Sequence, residues 1–320
     1  MIEVESVSKV YQERAVVSDV SFAVAAGETL VLLGTSGSGK TTLLKMINRL
    51  VDPSTGSIRI DGVEIDQEKP EVLRRKIGYV IQQSGLFPHY TVAENIGLVP
   101  SLLGWSATKI EQRVRELVKV VGLSEDHQLR YPNELSGGQQ QRVGVARALA
   151  ADPPVILMDE PFGALDPITK QQMAQEFASL GMLQEKTVVL VTHDVLEAFA
   201  LGDCICLLDA GNVQQIGTPK DLLFHPKNEF VRSFFRTQQL RLALEVVALK
   251  DILALHRQEL TTTREEKNVV TVEESASVFK VLEKLEQKNT SHIVVKGTHG
   301  EADRMIDRDQ LLSWFFRYQH

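Results

Sequence analysis

The sequence contains little cysteine and no long apolar run. Cys204 and Cys206 are the only cysteines among 320 residues, which is too few for a disulfide framework and favours a reducing compartment. No stretch reaches the roughly 18 apolar residues that a membrane-spanning helix requires. The first residues also lack the basic start and the apolar core of a signal peptide. We therefore expect a chain that is neither secreted nor membrane-spanning, although it could still dock on a membrane protein.

Positive charge is in the minority as well. The 35 Lys and Arg residues face 42 Asp and Glu residues, which leaves a formal net charge of −7. This balance argues against a nucleic-acid-binding protein that depends on global positive charge. The hydrophobic share of 43% is ordinary for a soluble globular protein, and the length allows one large domain or one domain with a smaller companion.

Apolar runs alternate with helical patterns through most of the chain, which predicts an α/β fold with a parallel sheet. Most of the predicted strands are short apolar runs, as in buried parallel sheets, whereas the first two alternate apolar and polar residues. The predicted strands are 2–5, 20–24, 28–34, 77–81, 155–159, 187–192 and 204–209, and the predicted helices are 40–50, 107–121, 139–151 and 168–184.

The pattern changes near Gly217-Thr218-Pro219, which interrupts the chain. Helical spacing follows over residues 229–258, and the polar residues 261–267 predict a linker. The remaining residues predict a compact unit with two strands, a glycine-bearing turn and two helices. Its predicted strands are 268–272 and 292–296, and its predicted helices are 277–287 and 308–317.

A complete phosphate-binding motif, G-x-x-x-x-G-K-[ST], lies between a predicted buried strand and a predicted helix. Its glycines let backbone N–H groups close around phosphate oxygens, and the helix directs its positive end at the anion. Lys40 would reach the β- and γ-phosphates, and Thr41 would offer its hydroxyl to Mg²⁺. The motif comprises Gly34, Thr35, Ser36, Gly37, Ser38, Gly39, Lys40 and Thr41, and Thr42 beside it completes the predicted phosphate-binding set.

Two acids end the apolar run that begins at Val155. In P-loop enzymes an acid at such a strand end assists the Mg²⁺, and Asp159 fits that role. Glu160 could orient or deprotonate a water for attack on the γ-phosphate. The alternative is an exposed strand terminus without a role, but two acids in a chain that already has a P-loop favour the functional interpretation.

Further motifs resemble those of ABC-type ATPases, in content and in order. Leu-Ser-Gly-Gly-Gln at residues 135–139, before a predicted helix, is similar to the signature motif of that family. The resemblance covers about residues 1–235 and implies a P-loop NTPase with an antiparallel β subdomain and a helical subdomain. It assigns Tyr11 to stacking on adenine, Gln82 to the Q-loop, Asp159 and Glu160 to the Walker B acids, Ala164-Leu165-Asp166 to the D-loop, and His193 to the switch histidine.

The same resemblance implies the ligands and the assembly. In the family, the signature motif acts on ATP held by the P-loop of the opposite subunit, so two ATP molecules with Mg²⁺ would be sandwiched in a head-to-tail homodimer. The partner's nucleotide would contact Ser136, Gly137, Gly138 and Gln139, and the resemblance assigns metal binding to Thr41, Gln82 and Asp159.

Some of these assignments have ordinary structural alternatives. Tyr11 could be an exposed aromatic at a strand end. Gln83 beside Gln82 leaves a one-residue ambiguity, although Gln82 directly follows the apolar run and is preferred. A histidine such as His193 more often has a purely structural role, but its place at a strand end in this family context favours contact with the γ-phosphate.

More narrowly, the chain resembles ATPases of osmoprotectant importers, which move quaternary amines such as glycine betaine, carnitine or choline. Residues 160–169 are similar to that group's segment between the Walker B acids and the D-loop. The resemblance implies an ATP-hydrolysing subunit at the cytoplasmic face of the membrane. It would work with a transmembrane permease and, indirectly, with an extracytoplasmic binding protein, but not with nucleic acid. An importer ATPase for another solute, such as an amino acid or a sulfonate, and a non-transport ABC ATPase remain alternatives.

The end of the chain resembles one CBS-type module, where many relatives in the group carry two. We expect it to serve in dimer contact or as a vestigial regulatory element. The predicted divisions are therefore an ATPase domain at 1–235, a helical connector at 236–267 and the single module at 268–320.

Overall fold

The computed structural model describes residues 1–82, 85–163, 165–178, 181, 185–256, 261–262, 268–296 and 304–318. The chain divides into two compact units, Met1–Thr218 and Pro219–His320. The division falls at the interruption that the sequence shows around Pro219. The domain limits predicted at residues 235 and 267 remain predictions.

A six-stranded sheet forms the centre of the first unit. Its strands are β3 (Thr29–Gly34), β6 (Ile77–Val80), β7 (Val155–Asp159), β8 (Thr187–Thr192), β9 (Cys204–Asp209) and β10 (Asn212–Gly217). They lie in the order β10-β9-β3-β8-β7-β6, and only β10 runs antiparallel to its neighbour. Every residue of β7 and β8 is buried, which explains their continuous apolar sequences.

A second, antiparallel sheet packs in the same unit. It consists of β1 (Ile2–Tyr11), β2 (Arg14–Val24), β4 (Thr55–Ile60) and β5 (Val63–Glu64), in the order β2-β1-β4-β5. The two alternating strands predicted at the start of the chain are parts of β1 and β2, which form one long hairpin. Gln12 and Glu13 make its turn with positive φ angles of 46° and 67°, as a two-residue hairpin turn requires.

Helices cover the described part of the first unit. They are α1 (Lys40–Ile47), α2 (Pro70–Arg75), α3 (Val92–Leu102), α4 (Ala107–Val120), α5 (Gly137–Leu149), α6 (Pro167–Ala178) and α7 (Val195–Leu201), with 3₁₀ turns at Glu125–Leu129 and Pro132–Glu134. Helices α3, α4 and α5 pack on one another as a helical subdomain. Among the residues that the structure describes, no helix combines the length and apolarity that a membrane span needs.

One hydrophobic core joins the two sheets through α1. Ile2 of the antiparallel sheet, Leu32 of the central sheet and Leu44 of α1 are all completely buried members of it. Because α1 begins directly after the glycine-rich segment, this core fixes where that segment lies.

The second unit contains six helices and a small sheet in its described residues. They are α8 (Pro219–Phe224), α9 (Glu229–Phe235), α10 (Gln239–Val246), α11 (Leu249–Leu255), α12 (Val278–Lys288) and α13 (Arg308–Tyr318), with β11 (Thr261–Thr262), β12 (Val270–Glu273), β13 (His292–Lys296) and β14 (Arg304–Asp307). The strand order is β11-β14-β13-β12, and β12 pairs parallel with β13. The order β12-α12-β13-β14-α13 matches the predicted unit with one strand, β14, added.

The predicted helix over residues 229–258 is wrong in its continuity. Val247 and Ala248 are extended, and the Asp251 carboxylate accepts a hydrogen bond from the Ala248 N–H at 2.9 Å. This cap begins a new helix, so apolar spacing continues while the helix itself is interrupted. The predicted linker starts with β11, and its residues 263–267 lie outside the described residues, as does most of the predicted glycine-bearing turn.

We predict that Leu44→Ala destabilises the first unit by about 2–5 kcal/mol, because it opens a cavity in a fully buried part of the core. Leu50→Ala is the matched control, since Leu50 follows the same helix and is 44% exposed. Urea unfolding followed by circular dichroism measures both changes. Equal losses in the two variants would contradict the assigned core.

Candidate functional site

The glycine-rich segment lies between β3 and α1, and its backbone needs two of its glycines. Gly34 has φ 155°, and a Cβ there would lie 2.1 Å from the Leu208 carbonyl oxygen. Gly39, before α1, has φ 100°, and a Cβ there would lie 2.6 Å from the Val16 carbonyl oxygen. These glycines are therefore required by left-handed backbone and close packing, before any ligand is considered.

Lys40 is folded back onto this segment. Its Nζ donates to the carbonyl oxygens of Gly34 at 2.9 Å and Thr35 at 2.7 Å, and to Ser38 Oγ at 3.3 Å. Burial lowers the pKa of Lys40, although two nearby carboxylates oppose this. The Lys40 ammonium is thus already in place when an anion enters the loop. To bind this ammonium, the anion must displace the backbone oxygens that contact it.

Thr41 at the start of α1 contacts Asp159 at the end of β7. The Thr41 hydroxyl donates to Asp159 Oδ1 at 2.8 Å. Burial raises the pKa of Asp159, while the hydrogen bond from Thr41 opposes the shift. A hydroxyl and a carboxylate side by side are hard oxygen donors of the kind that Mg²⁺ takes together with phosphate oxygens and water. The pair fits the predicted metal site, and Thr42 follows it half-buried on α1.

Glu160 is the centre of a second cluster. Its Oε2 accepts a hydrogen bond from Gln82 Nε2 at 2.9 Å, and its Oε1 lies 3.1 Å from His193 Nδ1. Gln82, Glu160 and His193 follow the carboxyl ends of β6, β7 and β8, so parallel pairing of neighbouring strands brings them together. Gln82 therefore contacts the predicted general base in this structure, although it was also predicted as a metal ligand.

The backbone of Glu160 is in the left-handed region, with φ 45°. A non-glycine residue in this region is strained and is usually held there by its surroundings. The Glu160 N–H donates to the Val191 carbonyl at 3.0 Å, and its own carbonyl accepts from Gly163 N–H at 3.1 Å. These bonds turn the chain sharply after β7 and direct the carboxylate towards Gln82 and His193.

The signature segment forms the start of α5. Ser136 Oγ accepts from the Gln139 N–H at 3.3 Å, and Gln139 Oε1 accepts from the Ser136 N–H at 2.9 Å, which is a capping box. Ser136 and Gly137 are exposed, and a Cβ on Gly137 would meet open space. With Gly138 behind them, these residues present a helix N-terminus that an anion outside this chain can approach.

Tyr11 and Asp166 lie at exposed positions. Tyr11 ends β1 with 44% exposure, and the Lys9 ammonium lies 5.1 Å from the centre of its ring. Asp166 Oδ1 accepts from the Thr169 N–H at 3.1 Å at the start of α6. Hydrogen bonds with Thr169 lower the pKa of the Asp166 carboxyl.

Two of the predicted positions fall outside the described residues. They are Ala164, the first residue of the predicted D-loop, and Gln83, the alternative to Gln82.

The structure also shows an acid in this region that was not predicted. Asp209 ends β9, and its Oδ1 accepts from the Thr35 hydroxyl at 3.2 Å. Its position at the end of an apolar run, as for Asp159, is the signal that could have identified it.

Comparison with known proteins relates the chain to one family. The model of the ABC transporter family matches residues 17–163. The glycine betaine/carnitine/choline transport ATP-binding protein OpuCA of Bacillus subtilis is 54% identical over 241 residues, which cover 75% of this chain and 63% of that protein. The glycine betaine uptake system ATP-binding protein YehX of Escherichia coli is 49% identical over 259 residues, which cover 81% of this chain and 83% of that protein.

Solved structures agree with the fold. The dimeric cassette MJ0796 is similar with a TM-score of 0.62 and 38% identity, over 68% of this chain and 98% of that one. The same cassette in a dimeric post-hydrolysis state, bound to ADP and Pi, gives a TM-score of 0.61 and 37% identity. The chain spans 63% of the length of the first two curated relatives, OpuCA and the choline transport ATP-binding protein OpuBA of Bacillus subtilis.

We predict that Lys40→Ala weakens ATP binding roughly 10- to 100-fold, since it removes charge-assisted hydrogen bonds to phosphate. Titration with a fluorescent ATP analogue measures the dissociation constant. Lys284→Ala, which removes an exposed lysine on α12, is the control and should bind as the wild type does. Wild-type affinity in Lys40→Ala would contradict the phosphate site.

Proposed function

The chain belongs to the ABC transporter family, and on that premise we propose that it is the ATP-binding and ATP-hydrolysing subunit of an importer for a quaternary-amine osmoprotectant. The predicted family and the predicted P-loop NTPase fold of the ATPase domain are confirmed by the relatives and solved structures. The observation that carries the ATPase proposal is the Glu160 carboxylate between Gln82 and His193, beside the Lys40 loop.

The glycine-rich segment binds the triphosphate in this proposal. Backbone N–H groups before α1 and the Lys40 ammonium bind the β- and γ-phosphates, and phosphate oxygens replace the carbonyl partners that Lys40 has now. Thr41 and Asp159 are the residues that would hold Mg²⁺. When bound, this ion neutralises charge on the phosphates.

Glu160 acts on the attacking water. Its carboxylate accepts a proton from the water as the water oxygen bonds to the γ-phosphorus, and the bond from that phosphorus to the ADP oxygen breaks. Gln82 and His193 already hold the two carboxylate oxygens, so they orient the base. His193 is 54% exposed, which lets its ring turn to the γ-phosphate.

A head-to-tail homodimer completes the site. The exposed N-terminus of α5, with Ser136, Gly137 and Gly138, binds the ATP of the partner chain, and the partner's signature segment binds the ATP of this one. The dimeric MJ0796 structures support dimerisation. Because ATP touches both surfaces, its binding favours closure, and hydrolysis releases them.

A transmembrane permease and, through it, an extracytoplasmic binding protein are the further proposed partners. The chain would thus lie at the cytoplasmic face of the membrane. Phe87, Leu102 and Leu103 are apolar and 41–56% exposed near α3, where a permease segment can pack. The second unit is proposed to contain a single CBS-like module that assists dimer contact.

The proposed solute follows the relatives. OpuCA is a glycine betaine/carnitine/choline transport protein, and YehX belongs to a glycine betaine uptake system. Uptake of labelled glycine betaine, carnitine and choline tests the proposal, in cells lacking this protein and in cells complemented with it. Restored uptake of an amino acid or a sulfonate instead would assign the other solute class.

We predict that Glu160→Gln retains ATP binding but lowers hydrolysis by a factor of roughly 100 or more, because the amide cannot accept the proton of the water. The trapped ATP should hold the dimer closed. Phosphate release and size-exclusion chromatography with ATP measure the two effects. Glu286→Gln on α12, at an exposed position, is the control. Undiminished turnover in Glu160→Gln would remove Glu160 from the catalytic role.

A further inference from the structure

A largely buried lysine outside the recognised motifs connects two segments of the proposed ATPase site. Lys170 lies in the first turn of α6, and its backbone N–H donates to the Asp166 carbonyl at 2.8 Å. Its Nζ lies 3.0 Å from Asp194 Oδ2 and 3.3 Å from Glu197 Oε2. One side chain thus joins the helix that follows the D-loop to the residue that follows His193.

Two of these three charges are largely enclosed by protein, whereas the Asp194 side chain is 33% exposed. The side chains of Lys170 and Glu197 are 14% and 3% exposed. Burial alone would lower the pKa of Lys170, but the charges of Glu197 and Asp194 raise it above its ordinary value. Burial raises the pKa of Glu197, and hydrogen bonds from Thr192 and Lys170 oppose that shift. Removal of the lysine would therefore leave a buried carboxylate without its cation.

The same cluster fixes the backbone on both sides of His193. Asp194 Oδ1 accepts from the Leu196 and Glu197 N–H groups at 2.9 and 3.2 Å, which caps α7. The Thr192 hydroxyl donates to Glu197 Oε2 at 2.7 Å and accepts from the Asp194 N–H at 3.0 Å. Lys170 binds the other oxygen of Asp194, so it completes a ring of hydrogen bonds around the turn that carries the histidine.

We propose that Lys170 is a positioning residue for ATP hydrolysis, which holds the turn of His193 in place and ties it to the D-loop. The inference rests on the proposed ATPase function. Because the His193 ring is largely exposed, the turn beneath it determines how the ring meets Glu160 and the γ-phosphate. In the proposed dimer, a movement of Asp166 on closure reaches His193 through Lys170.

The test is Lys170→Met in the full chain, which keeps the length of the side chain but removes its charge. We expect kcat for ATP hydrolysis to fall roughly 10- to 100-fold, because the histidine is misplaced. The dissociation constant for ATP should stay near the wild-type value, since the phosphate loop lies on other elements. Lys170→Arg should retain most activity, because a guanidinium can bridge two carboxylates.

A second variant separates positioning from stability. Lys170→Met combined with Glu197→Gln removes the more buried of the two uncompensated carboxylates, so the thermal midpoint should return towards wild type while kcat stays low. If the double variant recovered kcat together with the thermal midpoint, the inference would be overturned. It would also be overturned if Lys170→Met hydrolysed ATP with the kcat of an active wild-type protein. A wild type that binds ATP but does not hydrolyse it would instead contradict the proposed function itself.

Discussion

The parallel pairing of β3, β8, β7 and β6 is the constraint on which the rest of the site depends. Each strand ends at the same edge of the sheet, so each contributes the residue that follows it. Gln82 and Glu160 are 78 residues apart in the chain and 2.9 Å apart in space for this reason. A shift of one residue in any strand would turn its terminal side chain to the other face of the sheet.

The elements best predicted from the sequence are those that depend on residues close together in the chain. The strands at 155–159, 187–192 and 204–209 are observed with the predicted bounds, because a short apolar run between turns has few alternatives as a buried parallel strand. Helix α3 was not predicted, since Gly97 and Pro100 interrupt its sequence. The break between α10 and α11 was missed because one capping bond interrupts a spacing that otherwise continues.

The same distinction applies to the site. The phosphate loop is a contiguous motif, so its residues could be predicted one by one. The contact between Gln82 and Glu160, the ion pairs of Lys170 and the bond from Thr35 to Asp209 join distant segments. A single sequence holds no signal for such pairs apart from the type of each residue. The backbone strain at Glu160 cannot be predicted from the sequence either. Its φ of 45° follows from the turn after β7 and not from the glutamate itself.

The folded-back Lys40 has a consequence for which ligands the loop accepts. Its ammonium already has three oxygen partners, at 2.7, 2.9 and 3.3 Å. A ligand gains from this lysine only the difference between its own oxygens and those it displaces. A monoanion brings one negative charge in exchange for these neutral partners, whereas adjoining phosphates of a triphosphate bring several negative charges and reach the loop N–H groups at the same time. We therefore expect the loop to bind polyphosphates in preference to anions with a single charge.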